Sequence, residues 1–308
     1  MNLTRLPILL LLLIGCVTLS CSNDDDGNEF ADLRDPNEVN DENRIEIETF
    51  LETHYFKIEE NSTNENLRNV VFHELDEDSN ESPVIESEFL KSKVITQQGV
   101  DYTLYYLKFR EGNQERRKPT FADSVFVTLR GETIRKTVFE DIPNPTWLDN
   151  TQTIRGLREA LVEFRSAGDF TENNDGTFFF DDDFGYGAVF IPSGVAYFAV
   201  PPTGTGIRRY EPIIFSFQLY RSRESDHDGD GIPSWMEDVR GTRDVGDTDT
   251  DNDGFANFVD VDDDGDGVLT RDEVEFDEDG NLILPFPDSN GNGTPDHLDP
   301  TWPEQDDN

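Results

Sequence analysis

The sequence predicts an α+β domain followed by an acidic repeat tail, and three observations carry that reading. Stretches rich in β-formers recur between residues 102 and 220, one amphipathic helix lies among them, and from residue 226 a single aspartate–glycine pattern repeats. The strand-like stretches are 102–109 (YTLYYLKF), 124–129 (SVFVTL), 188–191 and 213–220 (IIFSFQLY). The helix is 154–167 (IRGLREALVEFRSA), with Ile154, Leu157, Leu161 and Phe164 at helical spacing and Gly168 as its stop. Several antiparallel strands wrapped on one short helix is the expected architecture. Upstream, Asp41 can cap a helix over about 42–57, whose Ile45, Ile47, Phe50, Leu51 and Tyr55 form an apolar face. Residues 60–80 are polar and read as loop.

The 308 residues carry 25 Lys+Arg against 67 Asp+Glu, a formal charge of −42. Such an excess repels phosphate backbones and anionic membrane surfaces, which excludes nucleic acid as a partner and favours cations. The charge is also uneven. Residues 226–308 hold 27 acidic residues and three Arg, so 24 of the 42 net charges sit in about a quarter of the chain. The middle holds the Phe, Tyr, Ile and Val needed for a core. The only cysteines are Cys16 and Cys21, so the domains beyond them contain no disulfide and depend on packing and bound metal.

Residues 6–19 are a nearly unbroken apolar run behind Arg5. As a helix it rises about 21 Å, short of the roughly 30 Å of a bilayer core, so residues 1–20 read as a cleaved export signal. A transmembrane anchor with incidental cysteines is the competing reading. LIGC (13–16) and TLSC (18–21) both resemble the bacterial lipobox, in which a small residue precedes a cysteine that is lipidated and becomes the new N-terminus. Cys21 is favoured, with Cys16 as the alternative, because it gives a more ordinary signal length and is followed at once by Ser22, Asn23 and three aspartates. That run resembles surface lipoproteins of the Bacteroidetes and implies attachment to the outer membrane, facing the cell surface or otherwise the periplasm. Residues 21–41 then form a flexible acidic tether, 42–94 a helical extension, 95–222 the folded domain and 223–308 the repeat region.

In the tail the pattern D-x-[DN]-x-[DN]-G occurs four times. Calcium takes six to eight oxygens, which a twelve-residue loop supplies from positions 1, 3, 5, 7, 9 and 12, with Gly at 6 for the sharp turn. The first loop runs through Asp226, Asp228, Asp230 and Glu237, and the second through Asp249, Asp251, Asp253 and Asp260. The third runs through Asp262, Asp264, Asp266 and Glu273, and the fourth through Asp288, Asn290, Asn292 and Asp299. A merely solvated acidic tail does not explain glycine at the sixth place in all four. The segment resembles thrombospondin type 3 repeats, with the third loop the most EF-hand-like, and it implies structural Ca2+. Asp at position 12 reaches less far than Glu, so the second and fourth sites are expected to be weaker. His227 and His297 fall outside the ligand positions and are expected at the surface. Without metal the close carboxylates repel, and calcium supplies the missing folding energy.

The order of particular residues in the middle of the chain adds a resemblance. VTLRG (127–131), TVFE (137–140), TIRGLREAL (153–161), IPSGVAY (191–197) and the stretch 213–220 resemble, in register over about residues 95–222, the FKBP family of peptidyl-prolyl isomerases. The resemblance implies an FKBP-like antiparallel sheet wrapped on one short helix and proline-containing polypeptides as clients. It also implies a proline pocket lined by Phe139, Ile154, Leu157, Ile207 and Phe215, with the Tyr197 hydroxyl offered to a substrate carbonyl and Glu140 at the rim. Ile154, Leu157 and Phe215 would equally be core residues in any fold of this pattern. The chemistry needs no cofactor and no nucleophile. An X–Pro amide rotates over a barrier of about 18–20 kcal/mol, and an apolar pocket with a placed donor favours the twisted, less dipolar amide.

Departures from the family are plain. Leu129 stands where the family usually has tyrosine, Glu140 where it has aspartate, and Leu157 where it often has tryptophan. Residues 168–187 form a long insertion carrying Phe178, Phe179, Phe180, Phe184 and Tyr186, which either extends the core or lengthens the substrate groove. The loop 198–211, with Pro201 and Pro202, matches the family's flap. These departures point to weak or narrowed isomerase activity. They leave open a non-catalytic calcium-binding surface lipoprotein that uses the same fold for binding or adhesion.

Overall fold

The computed structural model of the protein describes residues 33–60, 67–172 and 178–302. The leader, both candidate lipidation cysteines and most of the tether lie outside the described residues. After α1 (Pro36–Thr53) come a hairpin of β1 (His54–Glu60) and β2 (Arg68–Glu74), then β3 (Leu90–Gln97), β4 (Val100–Arg110), β5 (Ser124–Thr133) and β6 (Val138–Asp149). The short α2 (Arg155–Leu161) leads to a small hairpin, β7 (Phe170–Glu172) with β8 (Phe178–Phe180), and then to β9 (Gly185–Ile191) and β10 (Ile213–Arg223). Six of these strands form one sheet in the order β3–β4–β9–β10–β5–β6, with every neighbouring pair antiparallel. This is the expected α+β layout.

Alternation along the strands divides the apolar residues between two cores, because successive side chains in a strand point to opposite faces. On β4, Tyr102, Leu104 and Tyr106 face one way, and Tyr105, Leu107 and Phe109 the other. On β10, Ile213, Phe215, Phe217 and Leu219 oppose Ile214 and Tyr220. The first face packs on α2 through Leu157, Ala160 and Leu161, and on Phe164 just beyond it. The second is covered by Ile47, Phe50 and Leu51 of α1 and by Val70 and Phe72 of the β1–β2 hairpin. An antiparallel sheet commonly leaves one face to water; here the N-terminal layer closes it, and β9 is buried along its whole length.

Several elements differ from the sequence expectation. The first helix starts at Pro36, inside the stretch assigned to the tether, rather than near residue 42. Asp35 accepts hydrogen bonds from the Asn37 and Glu38 amides, and Pro36 occupies a first-turn position that needs no N–H donor. It ends at His54, whose extended backbone passes Tyr55 to β1. The expected loop at 60–80 contains β2. The second helix stops at Leu161 rather than Ala167, because the Arg165 and Ala167 amides pair with the carbonyls of Glu111, just past β4, and Tyr220 of β10. Within the insertion, Phe180, Phe184 and Tyr186 belong to the second core, so these rings extend the core, while Phe178 and Phe179 stay half-exposed.

Beyond β10 regular structure nearly ends. The tail contains α3 (Thr270–Glu273) and short 3-10 turns at Val245–Asp247, Asn257–Val259 and Asp296–Leu298. Among the described residues no helix is long and apolar enough to cross a membrane.

Candidate functional site

The six apolar and aromatic residues assigned to a proline pocket meet in one cluster. Leu157, Ile207 and Phe215 are 3%, 8% and 4% exposed, and the partly buried Phe139, Ile154 and Tyr197 pack against the same core. Phe139 on β6 meets Phe215 on β10 edge to face, with ring centroids 5.4 Å apart. Both rings close over Gly131 of β5, where a Cβ would lie 2.6 Å from Phe139 and 2.7 Å from Phe215. Any larger residue there would displace the two rings. Ile154 caps the start of α2, and Leu157 lies in its first turn. Leu157 and Phe215 are thus core residues, while Phe139, Ile154 and Tyr197 remain partly accessible. Leu129 is itself buried and apolar.

Tyr197 is presented by a tight turn after β9. Pro192 leads into a 3-10 turn (Ser193–Val195); the Phe198 amide then donates to the Ser193 carbonyl at 2.8 Å and the Val200 amide to the Tyr197 carbonyl at 2.9 Å. The Tyr197 hydroxyl makes no hydrogen bond to any described residue. Burial, and then the charge of Glu140, push the phenol above its ordinary range, so it stays a neutral donor. Glu140 is exposed on β6.

No local pattern in the sequence marks what holds the 198–211 loop. Asn43 of α1, fully buried, accepts from the Ser193 amide at 2.8 Å and donates to the Tyr210 carbonyl at 2.8 Å. One side chain of the N-terminal layer thus ties the Tyr197 turn to the far end of the 198–211 loop. Arg135 adds a bidentate pair to Glu211, at 2.7 and 3.0 Å.

In the tail the four expected loops share one hydrogen-bond pattern. The sixth-position glycine amide donates to the first-position aspartate at 3.0–3.2 Å, and the seventh-position amide donates to the fifth-position side chain at 2.7 Å in every loop. The sixth-position φ lies between +94° and +102°, a conformation open chiefly to glycine. The amide of each second residue donates to the side chain of the ninth: His227 to Ser234, Thr250 to Asn257, Asp263 to Thr270 and Ser289 to Asp296.

The donor sets fit a hard divalent cation. Oxygens of Asp226, Asp228 and Asp230 lie within 4.8 Å of one another, as do those of Asp249, Asp251 and Asp253, and of Asp262, Asp264 and Asp266. Asp228 and Asp230 each accept a loop amide on Oδ1 and leave a buried Oδ2 without a partner. Both Glu237 oxygens, Asp264 Oδ2 and Glu273 Oε1 are likewise buried and unpartnered. Burial first, and neighbouring carboxylates next, push Glu237 up to about 10 and Glu273 up to about 8. Burial also leads the rise of Asp260, with the charges of Asp253 and Asp251 adding to it. The fourth loop differs. Asp299 Oδ2 accepts the Asn290 and Asn292 amides at 2.8 and 2.7 Å, so its donors partly satisfy one another, and Asp288 takes the loop amides.

Of the two tail histidines expected at the surface, His227 is exposed and His297 is not. His297 is buried rather than at the surface, edge to face with Phe286, and burial lowers its pKa to about 4. Its i,i−1 neighbour Asp296 is buried too, so the turn of the fourth loop faces inward. His227 hydrogen-bonds Ser234 at 2.7 Å and Asp149 at 3.0 Å, docking the first loop on the end of β6. Asp263, no ligand position of its own loop, lies within 4.8 Å of both Asp230 and Glu237. The linker between the first and second loops also grips α2. Arg155 donates to the Thr242 carbonyl, Arg158 to the Arg243 carbonyl, and Arg243 to Glu159 at 2.8 Å. Burial alone would raise the Glu159 carboxyl, but Arg243 and Lys93 outweigh it and hold it below the usual range.

A family model described as BamM C-terminal matches residues 227–292. Comparison with curated proteins found no match. Among solved structures, a peptidyl-prolyl cis-trans isomerase from Pseudomonas syringae pv. tomato is similar at 18% identity and a TM-score of 0.34, over 45% of this chain and 84% of that one. FkpA from Escherichia coli is similar at 20% identity and a TM-score of 0.32, over 45% of this chain and 53% of that one. A multi-domain immunophilin from Arabidopsis thaliana is similar at 14% identity and a TM-score of 0.33, over 44% and 47% of the two chains.

Proposed function

We propose that this chain is an FKBP-type peptidyl-prolyl cis-trans isomerase, anchored by lipid to the outer membrane and stiffened by a calcium-binding tail. Its clients would be proline-containing segments of exported or surface proteins. The observation that carries the reading is the Tyr197 hydroxyl, a donor without a partner among the described residues, on a ring packed against the core that holds Leu157, Ile207 and Phe215 and that Phe139 and Ile154 also meet. A proline ring would sit on the apolar surface while the phenol holds the rotated carbonyl. Both act more strongly on the twisted amide than on the planar one.

A second reading keeps the fold and the calcium but not the catalysis. Leu129 and the near-complete burial of Leu157 and Phe215 favour it, because little of these side chains is accessible to a substrate. Isomerisation of proline peptides by the full mature chain in calcium separates the two. The enzyme reading expects measurable turnover that falls about tenfold in Tyr197→Phe, the loss of one neutral hydrogen bond. A rate equal to the uncatalysed one would leave the binding module standing.

A further inference from the structure

We propose that the first loop binds its cation together with the third, Asp263 supplying a ligand that completes the set of Asp226, Asp228, Asp230 and Glu237. This rests on the calcium reading of the tail and adds a residue that the twelve-residue pattern does not assign.

Oxygens of Asp230, Glu237 and Asp263 lie within 4.8 Å of one another. Two oxygens on opposite sides of a calcium ion are separated by about 5 Å at most, so this is the span of one coordination shell. The three residues are 2%, 3% and 2% exposed. Asp230 Oδ2, both Glu237 oxygens and both Asp263 oxygens are buried without a hydrogen-bond partner of ordinary geometry. Asn257 lies near enough to temper the Asp263 charge but does not close either oxygen. Three buried carboxyl groups without partners are costly to hold charged, and a divalent cation among them removes that cost.

Positions 1, 3 and 5 bring their carboxylates together in each of the first three loops. The second residue stands outside that set: Thr250 and Ser289 bond the ninth residue of their own loops, whereas in the first and third loops it also meets a group beyond the loop. In the first loop that residue is His227, which reaches Asp149 of β6. In the third it is Asp263, which reaches the first loop. Asp262 and Asp264 flank it and belong to the third loop's own set. Filling the third loop therefore orients Asp263, and the two sites become positively coupled.

Trp235 lies in the first loop between Asp230 and Glu237, and the other tryptophans are Trp147 and Trp302. In a full-length chain carrying Trp147→Phe and Trp302→Phe, terbium emission sensitised by Trp235 reports occupancy of the first loop. Asp263→Asn should move that titration at least about tenfold to higher metal, whereas Asp272→Asn, exposed in the same segment, should not. Asp264→Asn, altering only the third loop's own set, should shift the first loop's titration in the same direction. Asp263→Asn also removes a buried repulsion, so its melting midpoint should rise in chelator while the gain from calcium shrinks. A structural role would lower the midpoint in both conditions and leave the titration in place, and that result overturns the proposal. Should Asp263→Asn not fold, an unshifted titration in Asp264→Asn overturns it instead. No terbium or calcium uptake by the parent chain would sink the calcium reading itself.

Discussion

The sheet domain and the tail are built on opposite principles. The domain buries Phe, Leu, Ile and Val on both faces of six strands and keeps its carboxylates at the surface or paired with Arg and Lys. The tail does the reverse. It buries Asp230, Glu237, Asp263, Asp264, Asp296 and Asp299, while Trp235, Val239, Phe255, Val261, Leu269 and Leu284 stand exposed. Ile232, Val245 and Val274 are the buried aliphatic residues described there. Hydrophobic burial stabilises the first region, and it cannot stabilise the second. On the calcium reading, order in the tail comes from cations that neutralise its interior.

The largest effect should follow removal of that neutralising charge. In excess chelator, amide exchange and protease cleavage should rise throughout 226–302 and stay low in β4, β9 and β10. Calcium should restore protection in the tail alone. Hydrogen exchange read by mass spectrometry resolves the two regions within one sample. If the tail stayed as protected in chelator as in calcium, the contrast between the regions would be wrong.

A smaller effect with the opposite address comes from the core. Phe190 of β9 is fully buried, 5.5 Å from the Phe72 ring and 5.8 Å from that of Phe50. Phe190→Ala should cost the domain about 3–5 kcal/mol in denaturant unfolding, the usual range for emptying an aromatic site. Calcium affinity of the tail should not change. A parallel loss of calcium affinity would mean that the linker clasp on α2, through Arg158 and Arg243, makes the two regions one cooperative unit.

What was legible in the sequence follows the same division. The strands could be read because alternation of Tyr, Leu and Phe along 102–109 and 213–220 is a local signal of a half-buried strand, and the loops because aspartate and glycine recur at fixed spacing. The second core was hidden. Its parts come from α1, the β1–β2 hairpin and the insertion, and nothing local says that Phe50, Phe180 and Phe190 share a face. The start of α1 was masked by acidic composition, although Asp35 and Pro36 are an ordinary helix opening. Asn43 and Asp263 could not be found by spacing at all, since each acts on a segment far away in the chain. The pocket residues were named by resemblance, and their meeting in one cluster is a property of the fold.

The smallest expected effect sharpens the contrast within the domain, at the corner where α1 turns into β1. His54 is 8% exposed and stacks on Phe50 at 3.8 Å, with Nδ1 3.2 Å from the Phe50 carbonyl. Burial, and then the charge of Lys136, hold its pKa below the ordinary 6.5. The unfolded chain therefore binds a proton more readily than the folded one, and the linkage has a definite sign. The contribution is fully present above about pH 6.5 and is lost as pH falls through that value toward the depressed folded pKa. Stability of the parent chain in excess calcium should decline between neutral pH and pH 5 more steeply than that of His54→Gln. Comparing the two chains cancels the titration of the tail, which they share. Exchange should rise first in α1 and the β1–β2 hairpin, because the second core is sealed there by Phe50 and Phe72. Identical pH profiles for the two proteins would show that His54 can take a proton inside the fold, and that this corner is open to water.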